Sequence, residues 1–162
     1  MSTPLEAIFS WMGFSFLCLN VRGRYGGLEV GRNSRTVKLS NSQGLESCLG
    51  IEVFSIDLGM EIHIFNIYGP YQDRVPFLDS LLNKSLFDGD YLILGGDFKF
   101  SLGLAKVWGP RAREDTLSYY FSQKMIAKSL FDVEPTKLKP TWRNKWVGED
   151  WIANRIDRFI VS

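Results

Sequence analysis

The chain has 162 residues, 45% hydrophobic and 23% charged, with a net charge of +1. Those totals suit one folded domain with a real apolar core and argue against wholesale disorder or a membrane-embedded protein. The near-neutral charge hides an asymmetry: residues 1–98 carry seven Lys and Arg against eleven Asp and Glu, residues 99–162 twelve against seven, so the C-terminal part leans toward anions.

Two cysteines, Cys18 and Cys48, and a single histidine, His63, provide neither a disulfide framework nor a zinc set. The cysteines read as core residues with no disulfide partner, in a reduced, intracellular compartment, the nucleus included. The apolar stretch from Ala7 to Leu19 follows Glu6 and lacks both a basic leader and a small-residue cleavage pattern. It reads as a poorly defined extension over residues 1–13 leading into a buried strand, not as a signal peptide. Nothing reaches the length of a transmembrane helix.

In chain order, FSFLCLNV at 14–21 and Leu28 to Val30 predict two strands joined by the glycine turn RGRYGG, a hairpin signal. Arg35 to Leu39, Ile51 to Ile56 and Met60 to Tyr68 are β-branched or alternating, separated by turn residues at Asn41-Ser42-Gln43-Gly44 and Leu58-Gly59. In the last of these, Met60, Ile62, Ile64, Asn66 and Tyr68 share one face, while Phe65 and Ile67 share the other with Glu61 and His63. Both faces offer burial, which predicts a central strand.

After Gly69-Pro70 the period lengthens, with Val75, Leu78, Leu81 and Leu82 at helical steps. Asp90 to Leu94 is a short buried strand. Asp115 to Leu130 is a second helix with Leu117, Tyr120, Phe121, Met125 and Ile126 as its stripe and Asp115 as N-cap. Arg155 to Val161 alternates Ile156, Arg158 and Ile160 against Asp157, Phe159 and Val161. No repeat, linker or low-complexity tract interrupts the chain, and residues 14–162 predict a mixed α/β layered domain.

Three polar groups stand at the ends of apolar strands: Asn66 to Tyr68 in NIYGP, Asp97 in GGDF, and Asp157 in RIDRF. Strand ends are where rigid scaffolds present functional groups. Each also has a purely structural reading: Tyr68 packing with its hydroxyl wet, Asp97 capping the next turn, Asp157 pairing with Arg155 or Arg158.

Together, RGRYGGLEV at 22–30, FNIYGPY at 65–71, LILGGDFKF at 92–100, PTWRN at 140–144 and RIDRFIVS at 155–162 resemble the endonuclease/exonuclease/phosphatase, or deoxyribonuclease I-like, superfamily. Within it they are most similar to the apurinic-type endonuclease domains of plant non-LTR (LINE-type) retrotransposons, over all but the first dozen residues. The resemblance implies an α/β (α+β) fold, a two-sheet sandwich flanked by helices with the site at one edge. It also implies hydrolysis of a phosphodiester, in DNA or RNA, with Mg2+ or Mn2+. Asp97 matches the carboxylate that orders or deprotonates the attacking water and contributes to the metal site, Tyr68 a phosphate contact, and Asp157 the residue that orients a catalytic histidine. Thr141, with Asn66, Arg143 and Lys99, falls on the substrate side.

The chemistry suits such roles, because attack on an anionic diester needs charge neutralisation, an aligned water and a base. A carboxylate-and-water site suits magnesium or manganese. The pattern is incomplete, though. The opening asparagine strand, the glutamate strand after it and the closing Ser-Asp-His motif have no counterpart in this chain, so a truncated, degenerate site is expected. Leu19-Asn20-Val21-Arg22-Gly23 mimics the opening motif but runs straight into the RGRYGG turn, and His63 reads as a satisfied strand imidazole.

At position 99 the family's asparagine is replaced by lysine, which only donates hydrogen bonds. Its ammonium either competes with a dication for Asp97 or itself neutralises a phosphate. Arg111, Arg113, Lys137, Lys139, Arg143 and Lys145 are candidate basic contacts, and Trp142 is a candidate stacking partner for a base. The alternative for the cations is a solvated, partly salt-bridged surface, and for Trp142 a buried tryptophan. A silent nucleic-acid-binding module and an inert fragment therefore stand beside the enzyme reading.

Overall fold

A computed structural model describes residues 12–19, 27–45, 47–83 and 90–162. Strands β1 (Phe14–Leu19) and β2 (Leu28–Asn33) form the predicted antiparallel hairpin, in register from Phe14↔Asn33 to Leu19↔Leu28. Most of its RGRYGG turn, and nearly all of the 1–13 extension, lie outside the described residues. Cys18 is exposed, which corrects its placement in the core; Cys48 is buried as expected.

β3 (Val37–Leu45), β4 (Cys48–Ser55) and β5 (Met60–Tyr68) make an antiparallel meander. The turn expected at 41–44 is instead strand. The register shifts between Leu39 and Asn41, and this bulge absorbs one residue while the ladder continues. Helix α1 (Arg74–Leu82) carries the chain over to β6 (Leu92–Asp97), which pairs with β5 in parallel. β6 runs three residues beyond its predicted end at Leu94.

The sheet is completed by β8 (Phe131–Asp132) and β11 (Asp157–Val161), in the order β3-β4-β5-β6-β11-β8. β5 is central, as its two apolar faces required. A separate three-stranded sheet has the order β7-β10-β9, from Val107–Trp108, Ala153–Asn154 and Trp142–Arg143.

On one face of the large sheet, Phe65, Ile67, Leu92, Leu94 and Ile160 pack under Leu78, Leu81 and Leu82 of α1 and under Leu117, Phe121 and Met125 of α2 (Thr116–Ala127). Burying side chains of this size stabilises by about 1.5–3 kcal/mol each. Val75 and Ile126, expected on these stripes, are exposed. α2 ends at Ala127, because Ser129 turns left-handed with φ 53°. On the opposite face Leu49, Ile51 and Val53 are buried, and β2 lies against β4 and β5. The layers are therefore hairpin, large sheet and helices: a two-sheet sandwich flanked by helices.

The Asp115 carboxylate accepts the Leu117 amide at 3.0 Å, the predicted N-cap, and also Arg74 Nη1 at 3.3 Å. The same Arg74 Nη1 donates to the Lys99 carbonyl at 3.1 Å. One cap thus ties α2 to α1 and to the segment after β6. Asp115→Ala is expected to lower stability by about 1 kcal/mol, with the loss of an N-cap as its main cause. Thermal melting should show the shift, and an unchanged melting temperature would show that the cap carries no net stability.

Arg158 and Ile160 fall on the buried face of β11, with Ile156 just before it, as their alternation predicted. A buried guanidinium needs partners. Arg158 Nη2 donates to the carbonyls of Phe100 and Arg155, both at 2.7 Å, and Nη1 lies 3.9 Å from Asp132. Burial pushes its pKa down to about 10.

Candidate functional site

The strand ladders carry three of the sequence-predicted residues to one place. In the parallel β5–β6 ladder Tyr68 pairs with Asp97, and in the antiparallel β6–β11 ladder Asp97 pairs with Asp157. Tyr68, Asp97 and Asp157 therefore form one row across three adjacent strands, where lateral neighbours share a face. Backbone bonds close the row, from Gly69 N–H to the Asp97 carbonyl at 2.6 Å and from Phe98 N–H to the Ile156 carbonyl at 3.0 Å.

The residues after β6 explain the wording DFKF. Phe98 and Phe100 are both buried, and with the Phe121 ring they form an aromatic trio whose centroids lie 5.1–6.2 Å apart, the range in which edge-to-face pairs add to burial. Lys99 lies between them in the left-handed region, at φ 61°, a conformation that asparagine adopts far more readily than lysine.

That turn folds Lys99 back onto Asp97. The Lys99 amide donates to Asp97 Oδ1 at 3.0 Å, and the ammonium makes a short ion pair with Oδ2. The ammonium also lies 4.1 Å from the centroid of the Tyr68 ring and 4.9 Å from that of Tyr71, an arrangement that attracts a cation to the ring faces. The Lys99 side chain is only 9% exposed. Burial opposes its charge, but the Asp97 carboxylate and the Tyr68 hydroxyl outweigh that cost and hold its pKa well above the ordinary lysine value.

The other predicted residues support the row. Thr141 Oγ1 accepts the amides of both Ile156 and Asp157 at 3.0 Å, so it fixes the start of β11. The Asp157 residue is exposed. Arg155 and Arg158 bind Asp132 instead, which corrects the alternative of a surface pair with Asp157. Asn66, one row below Tyr68 on the same face, donates from Nδ2 to the Glu29 carbonyl at 3.1 Å. His63 Nδ1 is buried without a hydrogen-bond partner among the described residues, so the imidazole is not satisfied as expected, and its strand position sets it apart from the row.

Arg143 stacks over Trp151 at 5.2 Å, and Arg111 pairs with Asp150 at 3.0 Å. Lys137, Lys139, Arg143 and Lys145 are exposed, and among the described residues none of the four forms a salt bridge. Trp142 is 43% exposed and Trp146 66%, which settles Trp142 as a surface residue. Sequence reasoning passed over Trp146 and Tyr71; for Trp146 the available signal was the adjacent Lys145, whereas Tyr71 meets Lys99 only through the fold.

The donor set does not fit a divalent ion. Both Asp97 oxygens are engaged by Lys99, and among the described residues no group of three or more His, Cys, Asp and Glu is placed to hold a metal. Magnesium prefers octahedral oxygen ligation through free carboxylates and water, and this row offers Asp157 alone.

No protein-family model and no curated protein matches the chain. Solved structures do match in fold. The endonuclease domain of TRAS1, a telomere-specific non-LTR retrotransposon, superposes with a TM-score of 0.70 at 12% identity, over 93% of this chain and 67% of that one. D. rerio TDP2 in complex with a single-strand DNA product gives 0.59 at 15% identity, over 98% and 66%. The human Nocturnin catalytic domain with bound sulfate gives 0.60 at 14% identity, over 98% and 64%. The chain spans about two thirds of the length of these structures.

Proposed function

From the premise that the chain has the deoxyribonuclease I-like fold of the endonuclease/exonuclease/phosphatase superfamily, we propose that it is a nucleic-acid-engaging domain of the endonuclease type, akin to those of plant LINE-type retrotransposons, whose hydrolytic centre is degenerate. The observation that carries this reading is the Tyr68–Asp97–Asp157 row, held in register by two ladders. In an intact centre of this chemistry Asp97 takes a proton from water, Tyr68 donates to a phosphate oxygen, and Asp157 orients a neighbouring base. Here Lys99 engages both Asp97 oxygens, so the carboxylate is occupied where a water would have to approach. Magnesium or manganese, when bound to a complete centre, supplies charge neutralisation and a more acidic water.

Binding is supported separately, by the exposed basic strip from Lys137 to Lys145 interleaved with Trp142 and Trp146, a combination suited to phosphate contacts with base stacking. Four phosphate contacts give an expected slope of log affinity against log salt of about −3 to −4.

The expected result with supercoiled plasmid and magnesium is salt-sensitive retention, with nicking no faster than that of Asp97→Ala. Nicking abolished by Asp97→Ala would overturn the degeneracy. Absence of salt-dependent retention would overturn the binding.

A further inference from the structure

We infer that Lys99 is this site's built-in cation: its ammonium holds the position on Asp97 that a divalent ion needs, so the Tyr68–Asp97–Asp157 row excludes magnesium and manganese, and Lys99→Asn opens it to them. The inference rests on the reading of that row as the site, but its test reads cation binding rather than cleavage.

Three features of the chain carry it. The first is the closed ring that Lys99 makes on Asp97, with its amide on Oδ1 and its ammonium on Oδ2. The two residues are separated by a single position, so the ammonium is always at high local concentration beside the carboxylate, and a free dication must displace a tethered competitor. A dication that binds without displacing it sits within a few Å of a like charge, which is strongly unfavourable in a partly buried site.

The second is what displacement costs. The ammonium is enclosed by the Tyr68 and Tyr71 rings, at 4.1 and 4.9 Å, and its side chain is almost covered. Leaving Asp97 therefore also means abandoning two aromatic faces. Arg74 holds the Lys99 carbonyl at 3.1 Å, which anchors the backbone from which the side chain extends.

The third is the backbone. Position 99 is left-handed, at φ 61°, a strained choice for a lysine and a comfortable one for an asparagine. Lys99→Asn removes the charge, is too short to reach Oδ2 as an ammonium does, and suits the existing φ. It leaves Asp97 Oδ2 without its ammonium, in register with the exposed Asp157.

The test uses the full chain and two probes, terbium followed by luminescence sensitised through Tyr68 and Tyr71, and manganese followed by water-proton relaxation. Wild type is expected to show no Asp97-dependent binding with either probe. Lys99→Asn is expected to bind at least about tenfold more tightly, because a like charge and a tethered competitor are both removed. Adding Asp97→Asn to Lys99→Asn should abolish that gain. Lys99→Met, one atom shorter and uncharged, is expected to gain binding too, and it serves if the asparagine variant fails to fold by circular dichroism.

Asp97-dependent binding by wild type would overturn the inference, as would a folded Lys99 variant that gains none. If plasmid shows no salt-dependent retention while Lys99→Asn gains manganese, the proposed nucleic-acid engagement falls and this assignment stands. If wild type nicks in an Asp97-dependent way and also binds manganese, the degeneracy and this assignment both fall.

Discussion

Asp132→Asn is expected to destabilise the fold by about 3–5 kcal/mol, the range for removing one partner from a buried ion cluster. The Asp132 carboxylate, largely buried on β8, accepts Lys106 Nζ at 2.6 Å and both terminal nitrogens of Arg155 at 2.8 and 3.2 Å, with Arg158 Nη1 at 3.9 Å. One anion thus serves three cations, and all three are buried or nearly so. Asparagine keeps the shape and loses the charge, leaving two guanidinium groups and an ammonium to repel one another in a medium of low polarity.

Glu134 cannot take over, because it is exposed and among the described residues pairs with Lys106 alone, at 2.8 Å. Urea unfolding is the measurement. The midpoint should fall by more than about 1 M with an unchanged slope, whereas Glu134→Ala should leave it nearly in place. Equal midpoints for Asp132→Asn and wild type would show that the cluster merely breaks even against solvation.

Nothing in the local sequence announces this cluster, and the reason is physical. Asp132 lies in a two-residue strand with no periodicity to read, and its partners are 23 to 26 positions away. Contacts of that span are decided by which strands become neighbours. The alternation on β11 did show that Arg158 shares a face with Ile160, but it could not show what would neutralise it.

Elements with a strong period were legible: the central β5, the Leu78–Leu81–Leu82 face of α1 and the Asp115 cap all follow from spacing and side-chain chemistry. The edge strand β3 was not. Asn41, Ser42, Gln43 and Gly44 are turn formers, yet on an exposed sheet edge they cost little as strand, and a bulge sets their register. Of the candidate site, Tyr68, Asp97 and Asp157 could be named from their positions at strand ends. Their meeting in one row depended on pairing register, and of the two readings open for Lys99 the one beside Asp97 was decided by a left-handed residue; a pattern of residue types encodes neither.

The two glycines before Asp97 show the same limit, and from them the other large effect follows. Glycines weaken a strand in general, so β6 was expected to stop at Leu94; instead Gly95 and Gly96 carry it on to the row. The Phe159 ring covers Gly95, where a Cβ would lie 2.6 Å from the ring edge. Gly96 has φ 137°, and a Cβ there would lie 2.0 Å from the Ile67 carbonyl oxygen.

The two obstacles differ in kind. Phe159 is 61% exposed and can rotate away, so Gly95→Ala should cost about 1 kcal/mol. The Ile67 oxygen belongs to the backbone of the central strand and cannot yield without parting β5 from β6. Gly96→Ala adds a forbidden φ to that collision and is expected to destabilise by about 3 kcal/mol or more. Exchange of the Gly69 amide, which donates to the Asp97 carbonyl across this seam, should accelerate in Gly96→Ala and stay slow in Gly95→Ala. Slow exchange in both variants would mean that β6 tolerates a side chain at position 96, and that the close approach of β5 and β6 is not what delivers Asp97 to Tyr68.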